Sequence, residues 1–583
     1  MCGLIVRKNS KSQQYYWYGL LVISFAFYFL SGMFELYPRV GWVDAGMYMG
    51  YSNNMKELVH EYGFSPHNYQ GSRLGYLLPS QILSYLLGPV TGRYVFVILF
   101  YYAVLMALWL AAKKSLPQDG RRVLFLAFIA CNPIYLSAIA FGGADGPTMA
   151  YVILAGFCWL YSDRKNPINN FWLALSGIFA AFAVSSHLFA IVPLGIIYSA
   201  VYVFQVNYWR SIIPVALAFV LSIFIFGRIG FNLGFEKNYL EYSYSWAFSS
   251  VKMGSGESYR KPFIVWLKTA SIWLPVILLS ILTAARLFIY RLRIYNNSIF
   301  SAMVLIVLPV IFVLLYDVIL GGSIGQYLSY YVIIVLPCFS FSLLLFMSDD
   351  IFVSLTFKVW LPALLFFCCV ILAALNVGVT IAALVISIVF SLGALYAYYG
   401  NLDEFIAKPL LMYSCLAVFV FCEFCFAYNQ AITAVYSKAS KGNTKELIKA
   451  ETQFMSAIKS IPETRISLGF IYDGSKGKYP DIGRNYSIYF SKEERVFTYF
   501  DSLTSLYLWD RTIISGNLSS EELENYIPLV DKRKTIVTLT DSMAGINEIN
   551  TRLMHVSSRY KSIYVTCYQS EVYPWCMQAY RYE

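Results

Sequence analysis

Two aspartates carry the clearest potential for chemistry. Asp44 lies in Gly41-Trp42-Val43-Asp44-Ala45-Gly46-Met47-Tyr48, shortly after the first strongly apolar segment, and Asp145 lies in Phe141-Gly142-Gly143-Ala144-Asp145-Gly146-Pro147-Thr148, between two others. A carboxylate at the edge of a bilayer meets water, headgroups and lipid-borne molecules together. It can take the proton of a hydroxyl that is a poor nucleophile near neutral pH. Cations able to steady an anionic leaving group are Arg73, Lys237, Arg260 and Lys261, with His187 a weaker choice. Each has a plainer reading. Arg260 and Lys261 precede Pro262, where headgroup anchors are common, and Lys237 between Glu236 and Glu241 suits a solvated face. Asp145 could serve only as a helix N-terminal cap, and His187 as a satisfied polar group within a bundle.

The elements that must position these groups are mostly membrane spans. The 583 residues are 58% hydrophobic and 13% charged, a balance that a soluble core does not accommodate. The formal net charge of +11 reads as orientation signal and headgroup contact. No basic stripe interleaved with readout residues points to nucleic acid. Apolar windows of about 20 residues predict about thirteen spans, at 15–34, 93–112, 123–140, 147–161, 171–186, 188–204, 212–226, 263–290, 299–319, 328–347, 351–376, 379–399 and 409–428. The first follows Arg7, Lys8 and Lys11 and lacks a small-residue cleavage site, so it reads as a retained signal anchor with a cytoplasmic N-terminus.

Alternating sides from there puts Lys113, Lys114, Arg121, Arg122, Arg164, Lys165, Arg286, Arg291 and Arg293 inside, as the positive-inside rule asks. This works only if 74–90, with Pro79 inside it and Gly88-Pro89 at its end, is a juxtamembrane helix at the outer surface rather than a span. Asp44, Asp145 and the segment 229–262 then share the outer face. The expected fold class is therefore an α-helical polytopic membrane protein over 1–430, with outer loops at 35–92 and 229–262. After it the composition turns charged, and 431–583 reads as a small soluble α/β or α+β outer domain. Strands are expected there at 466–472, 496–500, 535–539 and 562–566, and helices at 521–526 and 542–556. In an oxidising compartment Cys567 and Cys576 could close a short disulfide loop.

Further residues carry a resemblance. Asp44 with Tyr48, Gly75-Tyr76-Leu77-Leu78-Pro79 with Leu87-Gly88, Cys131-Asn132-Pro133-Ile134-Tyr135-Leu136, Ala144-Asp145-Gly146-Pro147, and Trp172 through Ile178 into His187-Leu188 resemble, in order, the start of the GT-C membrane glycosyltransferases. Among these the pattern is similar to bacterial aminoarabinose transferases and protein O-mannosyltransferases, over about the first 200 residues. Gln326-Tyr327-Leu328 with Pro337 resembles a late Arg-Tyr and Pro pattern, with glutamine in place of arginine. Many relatives also carry a second acidic residue where this chain has Ala45.

The resemblance implies an integral protein of a bacterial inner or plasma membrane that moves a sugar from a polyprenyl-phosphate donor to a glycan, lipid or protein acceptor outside. Asp44 would be the general base and Asp145 the second catalytic acid. Tyr48, Arg73, His187, Lys237, Arg260, Lys261, Gln326 and Tyr327 would be the substrate and phosphate contacts. Asp44, Asp145 and a substrate phosphate could share a divalent cation such as magnesium or manganese. A lipid-linked glycan flippase or other transporter, or a glycan polymerase or ligase, stays open as an alternative. Against the first, ionisable groups deep in the spans are few; against the second, 229–261 holds one arginine, Arg260.

Overall fold

The computed structural model describes residues 70–116, 143–162, 169–204, 212–245, 328–348, 468–472, 513–515, 535–540, 543–569 and 575–583, with isolated positions at 48–55, 122–139, 301–315 and 453–460. The expected spans at 15–34, 263–290, 351–376, 379–399 and 409–428 lie outside the described residues. So do Asp44, Arg260, Lys261, Gln326 and Tyr327.

Helix α1 (Leu74–Leu87) has 14 residues, or about 21 Å at 1.5 Å per residue, too short for a hydrocarbon core of about 30 Å. It ends at Gly88, whose φ of 83° favours glycine, and α2 (Pro89–Ser115) departs at once. Pro79 inside α1 cannot bond the carbonyl of Gly75, four residues back. The hydroxyl of Tyr151 donates to that carbonyl instead, at 3.3 Å.

The helix that supplies Tyr151, α3 (Asp145–Tyr161), is the centre of the bundle, buried at almost every position from Gly146 to Leu160. It packs against α2, α4 (Asn169–Ser186), α5 (Ile191–Phe204) and α7 (Leu328–Met347), while α6 (Ile212–Leu233) lies on α4. Lipid gives no hydrophobic drive between helices, so contact depends on small residues and hydroxyls. A Cβ on Gly177 would stand 2.2 Å from the carbonyl oxygen of Val215, and one on Gly156 2.8 Å from Ile197 and Phe341. Ser176 donates to the carbonyl of Ala155 at 2.7 Å, and Ser342 to that of Ala302 at 2.8 Å. On α6 only 11% of the apolar window is buried. Its exposed Leu217, Val220, Leu221, Phe224 and Ile225 form an apolar surface suited to lipid. Among the described residues α2 from Tyr94 and α6 are long and apolar enough to cross a membrane.

The two ends of the bundle differ in chemistry. At one end Lys114, in the last turn of α2, donates to the carbonyls of Leu160 and Tyr161 at the end of α3, a favourable place for a cation. Hence α2 and α3 run parallel, and their N-termini share the opposite end. There Arg73, Asp145, the C-terminus of α4 and the C-terminus of α6 gather.

The C-terminal part forms a five-stranded mixed sheet in the order β2-β1-β3-β5-β4. The strands are β1 (Leu468–Tyr472), β2 (Ile513–Ser515), β3 (Thr535–Thr540), β4 (Tyr560–Tyr568) and β5 (Trp575–Tyr582). Pairs β1–β2 and β1–β3 are parallel, and β5 runs antiparallel to both β3 and β4. Helix α8 (Met543–Val556) packs on the sheet. Two strands, 513–515 and 575–582, were not expected from sequence. β5 has six consecutive buried residues, so it lacks the alternation that marks a half-buried strand. Cys567 and Cys576 are register partners joined by a disulfide. Trp575, Met577 and Ala579, alternate residues of β5, belong to one buried cluster with Tyr48, Tyr51, Leu74, Tyr76 and Phe235. The sheet thus sits on the end of the bundle that carries Arg73.

The tightest contact at that end is α1 on α4. A Cβ on Gly75 would lie 2.2 Å from the carbonyl oxygen of Phe182 and 2.7 Å from the Ser186 hydroxyl. Gly75→Ala is expected to destabilise the protein by about 1–3 kcal/mol, read as a lowered thermal midpoint in detergent. Gly195→Ala, where nothing lies within 4 Å, serves as the neutral control.

Candidate active site

Arg73 occupies the cap position before α1, half-buried, and its N–H donates to the carbonyl of Gln70. Its guanidinium carbon lies 5.3 Å from the centroid of the Tyr48 ring, within cation–π range. Tyr48 is helical and buried, as are Tyr51, Ser52 and Met55, spaced as one face of a helix. Tyr48 meets Tyr76 edge to face at 5.3 Å. From Tyr76 a run of ring contacts passes through Phe96, Phe100, Tyr151, Phe182 and Phe226 to Tyr239. The wall behind Arg73 is therefore built of interlocked aromatic rings drawn from α1, α2, α3, α4 and α6.

Asp145 is the first residue of α3, with Ala144 in the cap position. This corrects the expected helix start at Pro147. Pro147 falls inside the first turn, where its missing N–H has no helical partner to lose. The Thr148 hydroxyl bonds back within the helix, donating to the carbonyl of Ala144 four residues earlier at 2.7 Å. Asp145 itself is half-exposed, and Ala144 is buried in the cluster that holds Tyr48 and Leu74. The central helix thereby delivers a carboxylate, at its favourable dipole end, to the end of the bundle where Arg73 lies.

His187 lies between α4 and a short 3₁₀ turn at Leu188–Ala190, and its Nδ1 accepts the N–H of Phe189 at 3.3 Å. Burial first, and the Arg73 charge second, push its pKa well below the ordinary 6.5. With Nδ1 accepting, the neutral ring carries its proton on Nε2. Lys237 stands exposed beside exposed Glu236 and Asn238, on the solvated side of its turn. The remaining expected contacts, Arg260, Lys261, Gln326 and Tyr327, and the base Asp44, lie outside the described residues.

The segment expected as a loop from 229 is not one at its start. Helix α6 continues to Leu233 and stops at Gly234, whose φ is 102°. Gly234 N–H donates to the carbonyl of Phe231, and Phe235 N–H to that of Gly230, the paired bonds of a Schellman cap. The chain then turns back as a short helix at 239–245, with Phe235, Tyr239 and Tyr242 buried in the cluster of Tyr48 and Leu74. The hydroxyls of Tyr239 and Ser185 are 2.7 Å apart, and those of Ser243 and Ser72 2.9 Å apart. Burial pushes the Tyr239 phenol up to about 12, so it stays protonated. Sequence reading missed these four residues. The signal was present in the spacing of Tyr239 and Ser243, which puts both on one helical face.

The chain superposes on the crystal structure of ArnT from Cupriavidus metallidurans bound to undecaprenyl phosphate, with a TM-score of 0.51, 10% identity, and coverage of 97% of this chain and 98% of that one. The fold is ArnT-like. The apo state of the same protein gives a TM-score of 0.49 at 10% identity over 98% of each chain. No family model matches the chain, and no curated protein matches it. The likeness is one of fold: a polytopic helical membrane architecture.

A neutral, buried His187 has a definite pH signature. Its folded pKa lies below 6.5, so the unfolded chain binds the extra proton first. Its contribution to stability is complete above about 6.5 and is lost as pH falls toward the folded value. His187→Gln is expected to flatten the fall of the thermal midpoint below about pH 6.5. Parallel slopes for the wild type and the variant would remove the assignment.

Proposed function

We propose that the protein transfers a sugar from a polyprenyl-phosphate donor to a hydroxyl acceptor at the outer face of a membrane. One observation carries the reading: within an ArnT-like fold, a half-buried guanidinium, Arg73, is held against Tyr48 at the same end of the bundle as Asp145. Tyr48 follows Asp44 by four residues. The matching ArnT structure is bound to undecaprenyl phosphate, which supports a polyprenyl-phosphate partner for this chain.

In this reading Asp44 takes the proton of the acceptor hydroxyl as its oxygen attacks the anomeric carbon. The bond from that carbon to the donor phosphate oxygen breaks, and the phosphate leaves with the electron pair. Arg73 faces the charge that develops there, in a setting where burial strengthens the interaction. His187, neutral, adds no competing charge and leaves Arg73 as the principal cation among the described residues of the site. Asp145 orients the acceptor or the base. A divalent cation would find two carboxylates here, Asp44 and Asp145, plus the substrate phosphate. Among the described residues, which do not include Asp44, no group of three His, Cys, Asp or Glu could hold a metal. Thirteen spans, a cytoplasmic N-terminus and an outer domain over 431–583 complete the proposal.

Two variants test it. Asp44→Asn is expected to lower sugar transfer from polyprenyl-phosphate sugars by about 10²–10⁴-fold, the usual worth of a general base, with donor binding kept. Arg73→Gln is expected to weaken donor binding instead. Equal transfer by wild type and Asp44→Asn would sink the base assignment. Wild-type protein that moves lipid-linked glycan across vesicles without transferring sugar would favour a flippase.

A further inference from the structure

The cation at the centre of the proposed site stands where a turn joins α1, whose Tyr76 and Leu77 N–H groups donate to the Arg73 carbonyl. Arg73 precedes α1 and follows the turn Gln70-Gly71-Ser72. Gly71 lies against Tyr51, where a Cβ would come within 2.8 Å of the ring. Ser72 is tied across the fold, its hydroxyl meeting that of Ser243 at 2.9 Å across a sequence separation of 171. Ser243 belongs to the helical turn 239–245, and that turn is fixed independently. Tyr239, four residues earlier on the same face, meets the hydroxyl of Ser185 at 2.7 Å. Ser185 is two residues before His187 at the end of α4. Phe235 and Tyr242 meet edge to face at 5.8 Å, and the Schellman cap at Gly234 sets the direction in which the chain returns.

We propose that Ser243 and Tyr239 are positioning residues for Arg73, which hold its guanidinium where a lipid-borne phosphate binds. The assignment rests on the lipid-phosphate reading above and deepens it. Tyr239 fastens the turn to α4, Ser243 carries that fixed position to Ser72, and the adjacent backbone places Arg73 over Tyr48. The opposite face of the turn, with Glu236, Lys237, Glu241, Tyr244 and Ser245 exposed, is left to solvent, so the polar residues of the segment divide by role. Charge at the turn does not bind phosphate directly; its hydroxyls decide where the cation stands.

The experiment uses the full-length protein in detergent, with undecaprenyl phosphate as the probe. Binding is measured for wild type, Ser243→Ala, Ser243→Thr, Tyr239→Phe and Arg73→Gln, with the unliganded thermal midpoint alongside. Ser243→Ala is expected to weaken binding about 5-fold, the worth of one hydrogen bond, and Ser243→Thr to restore it. Tyr239→Phe is expected to weaken binding to a similar extent. In transfer assays both should raise the donor KM and leave kcat near wild type. In the Arg73→Gln background Ser243→Ala should have no further effect, because the two act as one unit. Full-strength binding by Ser243→Ala, or the same loss in both backgrounds, would overturn the positioning role while leaving the lipid-phosphate reading intact. Folded wild-type protein that does not bind undecaprenyl phosphate would overturn that reading, and the positioning role with it.

Discussion

The close approach of α1 to α4 at Gly75 is the constraint on which the Arg73 end of the bundle depends. With no side chain there, the backbone of α1 lies against Phe182 and Ser186. Arg73, two residues before Gly75, is thereby brought beside His187, one residue after Ser186. The same glycine keeps its carbonyl within reach of Tyr151, which replaces the bond that Pro79 cannot make. A short helix with an internal proline would be a poor anchor alone. Seated this closely on the bundle, it becomes part of the bundle's end wall.

That wall has a second side. The chain that leaves α6 folds back over it through Phe235, Tyr239 and Tyr242, and the C-terminal sheet adds Trp575, Met577 and Ala579 from alternate positions of β5. β5 is paired on both edges, by β3 and β4, and its residues are buried on both faces. Segments distant in sequence therefore meet in one apolar cluster at the end of the bundle that presents Arg73 and Asp145. Hydroxyl meets hydroxyl beside it at Ser72 and Ser243, and at Ser185 and Tyr239. In so dry a setting an unmatched hydroxyl is costly, which gives each of these pairs a fixed geometry.

Electrostatics at this end are economical. His187 is kept neutral by burial and by the adjacent guanidinium, and Lys237 stays in solvent. The opposite end shows the contrast, since Lys114 there is spent on the exposed carbonyls that close α3. One cationic end stabilises the bundle. At the other, Arg73 is backed by an aromatic face.

The sequence by itself determined the membrane class, the approximate limits of α2, α3, α4 and α7, the helix over 542–556 and three of the five strands. Those features follow from local composition and period, which neighbouring residues set. It also singled out Arg73 and Asp145, because charge is rare in such a chain and each instance stands out. It missed β5, whose burial on both faces removes the alternation, and it missed the true end of α6, because Arg228, Asn232 and the aromatic residues around them dilute the apolar signal before Gly234. Tertiary structure alone decided that His187 is neutral, that Lys237 faces water, and that Ser72 meets Ser243. Hydroxyl pairs and pKa shifts arise from contacts between segments up to 171 residues apart, and no local pattern encodes which of many serines will meet.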